Sequence, residues 1–158
     1  MPLNLSDLRQ FILESTKHGY AAAGETRKKI EADGSKTFLY EKDDWKSHDN
    51  YFGGEPFSGR TVVFYKGKPV WMMVYYGSVA KDITNFTKIY EVLQQALLNA
   101  PEDYPFRGPE EFKQESFEYK NKWEGEISQF SGEEKISHSE EEIYWAKYLG
   151  GLVNVRED

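Results

Sequence analysis

Apolar positions change their period along this chain. Leu5, Leu8, Phe11 and Ile12 recur at helical spacing, which predicts a helix over 5–17. Asn4 or Ser6 can cap its start, and Gly19 can end it in a left-handed conformation. Residues 20–36 hold no clear period. Ala21-Ala22-Ala23 favours helix, whereas Gly24 and the Asp33-Gly34-Ser35 turn interrupt it, so a loop with one or two helical turns is expected. From residue 37 the pattern becomes β-like, and 37–42, 45–52, 60–66 and 69–76 predict strands. Lys66-Gly67-Lys68-Pro69 predicts a tight hairpin turn, with Gly67 free to take positive φ. The run Val70 to Tyr76 is apolar or aromatic throughout, which predicts a central strand covered on both faces. Helical spacing returns at Phe86, Ile89, Tyr90, Leu93, Ala96 and Leu97, predicting a helix over about 84–99, capped by Thr84 or Asp82 and stopped by Pro101. Pro101, Pro105, Gly108 and Pro109 mark 101–110 as a linker, and 112–119, 122–129, 134–139 and 143–148 predict four further strands.

The two β-rich stretches resemble each other. At an offset of 73, Phe57-Ser58-Gly59 meets Phe130-Ser131-Gly132, Val63 meets Ile136, Trp71 meets Tyr144, Tyr75 meets Tyr148 and Gly77 meets Gly150. Upstream the offset drifts: Phe38-x-Tyr40 pairs with Phe117-x-Tyr119, and Trp45 with Trp123. An internal repeat over about 37–78 and 112–151 follows. The expected fold is α+β, a single domain over 1–158. Its mainly antiparallel sheet comes from two similar four-stranded halves, with an N-terminal helix and one helix between the halves.

Composition narrows the chemistry. There is no cysteine, so disulfides, thiolate zinc sites and thiol nucleophiles are excluded. No apolar run approaches the roughly 18–20 residues of a membrane-spanning helix, and the acids Asp7 and Glu14 argue against a secretory leader. A cytoplasmic protein is expected. Residues 1–100 carry 13 Lys+Arg against 12 Asp+Glu, and residues 101–158 carry 7 against 15, so the excess of acid sits in the last third. Phosphate backbones avoid such a surface, and the basic cluster Arg27-Lys28-Lys29 is too short to offset it. The 11 Tyr, 10 Phe and 4 Trp suit half-buried strands, and they can also line a ligand pocket.

Few motifs carry chemistry. Gly54-Glu-Pro-Phe-Ser-Gly59-Arg60-Thr61 nearly matches a phosphate-binding loop, but a β run follows it where a helix is required, and Pro56 lacks an N–H. His18, His48 and His138 hold no metal-ligand spacing, and His48 and Asp49 should face opposite ways on a strand. No nucleophile elbow is present. The unusual stretch is Asp49-Asn50-Tyr51-Phe52-Gly53-Gly54-Glu55, with Arg60 close behind. It is either a site or a bulge in which Glu55 pairs with Arg60 at the surface.

The segments Tyr51 to Gly59, Lys66 to Trp71 and Tyr75-Tyr76-Gly77 resemble an uncharacterised bacterial family, DUF5680. Gly34-Ser35, Tyr40, Trp45, Asp49, Arg107-Gly108-Pro109 and Tyr148-x-Gly150-Gly151 fit it too, so the resemblance spans about residues 10–153. It implies no established activity. Some members carry an N-terminal helix-turn-helix, which implies a sensor role for the shared domain. The single short helix ahead of the β region here leaves no room for one.

The expected function is a stand-alone small-molecule or peptide binding domain of sensor type. Tyr40, Trp45, Tyr51, Trp71 and Tyr75 would supply stacking area; Asp49, Glu55 and Arg60 would orient a cationic or sugar-like ligand. An enzyme using Asp49 and Glu55 as acid and base, or a homodimer joined through a strand edge, remains the alternative. No cofactor, metal, nucleic acid or membrane is expected as a partner.

Overall fold

The computed structural model describes residues 2–19 and 28–156. Of the stretch 20–36, expected to be a loop with one or two helical turns, residues 20–27, including Arg27 of the basic cluster, lie outside the described residues, and the remainder holds a two-residue strand, Lys29–Ile30, and no helix. Helix α1 (Leu5–His18) opens the chain. Strands β1 (Lys29–Ile30), β2 (Lys36–Lys42), β3 (Trp45–Gly53), β4 (Phe57–Tyr65) and β5 (Lys68–Val79) follow, then helix α2 (Phe86–Leu98). Strands β6 (Glu111–Gln114), β7 (Phe117–Glu126), β8 (Gln129–His138) and β9 (Glu141–Leu152) complete it. All strands join one antiparallel sheet in the order β1-β2-β3-β4-β5-β9-β8-β7-β6. Two helix-plus-meander units therefore meet edge to edge through their last strands, where Tyr75 stands opposite Tyr148. The fold is α+β, with five strands before α2 and four after it, β1 being the strand beyond the expected two sets of four. No helix among the described residues is long and apolar enough to cross a membrane.

Both helices lie on one face of the sheet. Leu8, Phe11 and Ile12 of α1 pack with Val63, Trp71, Met73 and Tyr148, and Ile89, Val92, Leu93 and Ala96 of α2 pack with Tyr119, Ile136 and Tyr144. Every strand residue named is in phase with its neighbours across the ladder, as a period of two requires. Asn4 caps α1, its Oδ1 accepting from the Ser6 and Asp7 amides at 2.9 and 3.2 Å. The β4–β5 hairpin turns on Lys66 and Gly67 at φ 51° and 79°, the paired positive values of a type I′ turn.

The repeated Phe-Ser-Gly and Tyr-x-Gly motifs acquire a physical meaning here. Phe57 faces Gly77 and Gly59 faces Tyr75 across β4·β5; Phe130 faces Gly150 and Gly132 faces Tyr148 across β8·β9. Gly77 and Gly132 vacate space on the inner face for the ring opposite, whereas Gly59 and Gly150 let the neighbouring backbone approach closely. A Cβ on Gly77 would sit 2.5 Å from the Phe57 ring, and one on Gly132 would sit 2.2 Å from the Tyr148 ring.

Several expectations need correction. β5 is central but covered on one face only: Trp71, Met73 and Tyr75 are buried, whereas Val74 and Tyr76 are 38% and 47% exposed. Strong apolar content reflected strand propensity on the open face. Gly19 closes α1 at φ −94°, not left-handed. The residue capping α2 is Asn85, without a side-chain cap bond, rather than Thr84 or Asp82. The span 112–119 contains β6, a turn with Glu115 at φ 56°, and the start of β7, so both strand boundaries there shift. The upstream repeat matches are not equivalent: Phe38 and Tyr40 lie on β2 but Phe117 and Tyr119 on β7, and on the equivalent strands β3 and β7 it is Tyr51, not Trp45, that faces Gly59 as Trp123 faces Gly132. The stretch 101–110 is no plain linker. Phe106 is 2% and Arg107 8% exposed, so the loop enters the core.

Candidate functional site

A pocket of about 670 Å³ opens between the helices and the inner face of β2–β5. Phe38 and Tyr40 of β2, Tyr51 of β3, Phe57 of β4, Met73 and Tyr75 of β5 form its sheet wall. Leu93 and Leu97 of α2 close the other side, and Phe106 and Arg107 enter from the loop beyond α2. This size suits a drug-sized molecule, and the walls are largely aromatic.

Asp49 supplies the pocket's distinctive polarity. It lies in phase with Ser47 and Tyr51 on the inner face of β3, opposite Thr61. Its Oδ1 accepts from the Tyr75 hydroxyl at 2.5 Å and from Thr61 Oγ1 at 3.4 Å. Oδ2 has no partner among the described residues. Asp49 is half-buried and lines the pocket. Desolvation raises its pKa above the ordinary 3.8, against the opposing pull of Tyr75, Arg107 and Thr61. Burial and the adjacent Asp49 also push the Tyr75 hydroxyl well above its ordinary range.

The second half contains the same hydrogen bond with a different residue. Tyr75 stands beside Gly59, which faces Tyr51, two residues after Asp49; Tyr148 stands beside Gly132, which faces Trp123, two residues after Asn121. Tyr148 donates to Asn121 Oδ1 at 2.7 Å, as Tyr75 donates to Asp49. Asn121 spends its amide on the Gly108 carbonyl at 2.9 Å. A neutral amide thus fills this position structurally, and the charge at Asp49 exceeds what the scaffold needs. In the folded chain the Asp49 proton is held more tightly than in the unfolded one. Its contribution to stability is therefore full below pH 3.8 and lost as pH rises through the raised pKa. Asp49→Asn is expected to raise stability at pH 7 by roughly 0.5–2 kcal/mol, in the range common for relieving functional-site strain. Thermal unfolding of both proteins from pH 3 to 8 checks it: the gain should vanish near the acid end, and a less stable variant at pH 7 contradicts it.

Arg107 is the residue the sequence did not single out as a ligand contact. Its Nε donates to Glu134 Oε2 at 3.1 Å and its Nη2 to Glu134 Oε1. Glu134 is 0% exposed and also accepts from the Tyr119 and Tyr144 hydroxyls at 2.5 and 2.9 Å. The guanidinium lies over the Tyr75 ring, 5.6 Å from its centroid. Nη1 has no partner among the described residues, and Arg107 lines the pocket.

The predicted residues divide. Tyr40, Asp49, Tyr51, Glu55 and Tyr75 line the pocket. Trp45, Arg60 and Trp71 do not. Trp45 stacks on Phe11 at the far end of β3. Trp71 is fully buried and donates to the Ile127 carbonyl at 3.1 Å. Arg60 is out of phase with Gly59 and Thr61, opposite Asn50 and Val74, so it sits on the outer face beside His48, whose pKa burial and Arg60 lower. The Glu55–Arg60 ion pair does not form. Glu55 instead accepts from the Val79 amide at 2.7 Å, Ser78 Oγ at 3.1 Å and the Tyr90 hydroxyl. Both its oxygens are committed to tying the β3–β4 loop to β5 and α2. No group of His, Asp and Glu among the described residues has metal-site geometry.

A family model described as a domain of unknown function (DUF5680) matches residues 49–153, about two thirds of the chain. The chain belongs to the DUF5680 family. No curated protein and no solved structure matches it. The match begins at Asp49, not near residue 10, and takes in Tyr51, Glu55, Tyr75, Arg107 and Glu134. The pocket floor of this DUF5680 protein thus lies inside the family segment, while the walls from α1 and β2 lie outside it.

Proposed function

We propose that this DUF5680 domain binds a small, largely apolar ring-bearing molecule in the pocket between α1, α2 and β2–β5. The observation carrying this is Asp49: a desolvated carboxylate keeps one oxygen open to an aromatic-walled pocket, where the other half places a satisfied asparagine. Unpartnered charge that costs stability and faces a cavity is what a binding group looks like. The commitment of Glu55 to three structural donors weighs for binding over acid–base catalysis by paired carboxylates. A cytoplasmic sensor-type role belongs to the same proposal.

The methionines of β5 give a built-in test. Met73 lines the pocket, and Met72 points to the opposite face of the sheet. Compounds that raise the melting temperature in a metabolite screen should shift the Met73 methyl resonance and leave Met72 unmoved; saturation at about 100 times Kd adds about 2.7 kcal/mol. Stabilising compounds that move Met72 alone, or a broad screen with no stabilising compound, would overturn the proposal.

A further inference from the structure

Two polar atoms without a partner among the described residues, Asp49 Oδ2 and Arg107 Nη1, belong to residues that line the pocket, and they are of opposite kinds. Asp49 Oδ2 can only accept, and Arg107 Nη1 can only donate. Both belong to residues that touch Tyr75: Asp49 takes its hydroxyl at 2.5 Å, and Arg107 lies 5.6 Å over its ring. The acceptor and the donor therefore share Tyr75 as a neighbour. Each forbids what the other alone would invite. A carboxylate or phosphate drawn to Arg107 would meet Asp49, and the Arg107 charge is already matched by Glu134. An ammonium drawn to Asp49 would displace its charge balance beside a guanidinium that cannot deprotonate. The group that satisfies both atoms carries an N–H beside a C=O and no net charge. Phe38, Tyr51, Phe57, Met73 and Leu97 supply its apolar walls, with polar Ser47, Thr87 and Gln94 among the remaining lining.

We infer that the ligand is a neutral ring bearing a cis-amide edge, its N–H donating to Asp49 Oδ2 and its carbonyl accepting from Arg107 Nη1. Lactams, cyclic imides and nucleobase-like rings share this edge. The inference rests on the proposed binding function and deepens it by fixing the class of ligand. Glu134 then acts as a positioning residue, since its fork on Nε and Nη2 holds the guanidinium and leaves Nη1 for a ligand.

Four bicyclic probes of nearly equal size separate the outcomes: 2-quinolone, naphthalene, 2-naphthoate and 2-naphthylmethylammonium. Titrations at pH 7 are followed on the Met73 methyl resonance. 2-Quinolone is expected to bind at least about tenfold more tightly than the other three, the worth of one hydrogen bond to a charged group. Asp49→Asn offers an amide N–H beside Nη1, a pair of donors. It should remove the 2-quinolone advantage and tighten 2-naphthoate by about tenfold. Naphthalene binding as tightly as 2-quinolone, a charged probe binding best to the unaltered protein, or 2-quinolone binding unchanged by Asp49→Asn would each overturn the cis-amide inference while leaving the pocket a binding site. None of the four moving Met73 would overturn the binding proposal itself.

Discussion

Arg107→Met is expected to destabilise the fold by about 3–5 kcal/mol, the cost of leaving one partner of a buried ion pair alone. Glu134 is 0% exposed and Arg107 8%. Without the guanidinium, the carboxylate would keep only the Tyr119 and Tyr144 hydroxyls as donors. Two neutral hydrogen bonds cannot replace water and a cation together. The effect should reach beyond the pair. The Tyr119 hydroxyl oxygen accepts from the Gly108 amide at 3.0 Å, and the Gly108 carbonyl accepts from the Asn121 side-chain amide at 2.9 Å, so the loop after α2 hangs on this network. Arg107→Lys should also destabilise, because an ammonium cannot make the two-pronged contact. The double variant Arg107→Met, Glu134→Gln removes the orphaned charge and should recover a large part of the loss. Urea denaturation of the three proteins tests this. A single variant within about 1 kcal/mol of the parent, or a double variant no better than the single one, contradicts it.

Much of this arrangement was legible in the phase of the strands, and the exceptions are instructive. Residues Phe130, Gly132, Glu134 and Ile136 alternate with Ser131, Glu133 and Lys135, so period two alone places Glu134 on the core side. The same argument puts Asp49 inward with Ser47 and Tyr51, and turns Arg60 outward from Gly59 and Thr61. Grouping Arg60 with Asp49 by closeness in sequence overlooked that alternation. Glu55 is different, because it sits in a loop where no period applies. Its partners Val79 and Tyr90 lie 24 and 35 residues away, and only the packing of α2 on the sheet brings them together. Arg107 was hidden for a related reason. Proline and glycine mark a turn, but they do not say which side of a loop faces the core. The hint was its setting, a cation between Phe106 and Gly108 in the acidic third of the chain. The hairpin at Lys66-Gly67 and the helix beginning at Leu5 were legible because their determinants are local.

The large–small exchange across β8·β9 makes the second strong prediction. Gly132→Ala would place a methyl 2.2 Å from Tyr148 Cζ and 2.3 Å from its hydroxyl oxygen. The ring is 2% exposed and wedged beside Phe130, so it has little room to yield. Overpacking of this kind costs about 1–3 kcal/mol. Moving the ring also breaks the 2.7 Å bond to Asn121, and leaving a buried polar group unmet costs about 1–3 kcal/mol more. A total near 3 kcal/mol is expected. If the clash is the cause, shrinking the partner should relieve it: Tyr148→Leu in the same chain should cost less in the Gly132→Ala background than in the parent. The coupling, read from a double-mutant cycle in urea, should favour the double variant by at least about 1 kcal/mol, as for residues in direct contact. Simple additivity would mean that Gly132 is needed for its backbone and not for the space it leaves to Tyr148. Gly59 tests the counterpart in the first half, where an added Cβ would meet the Tyr51 Cβ at 2.5 Å and crowd the floor of the pocket itself. Gly59→Ala should therefore disturb ligand binding directly as well as stability, whereas the methyl of Gly132→Ala meets Tyr148, which does not line the pocket, and should act first on stability.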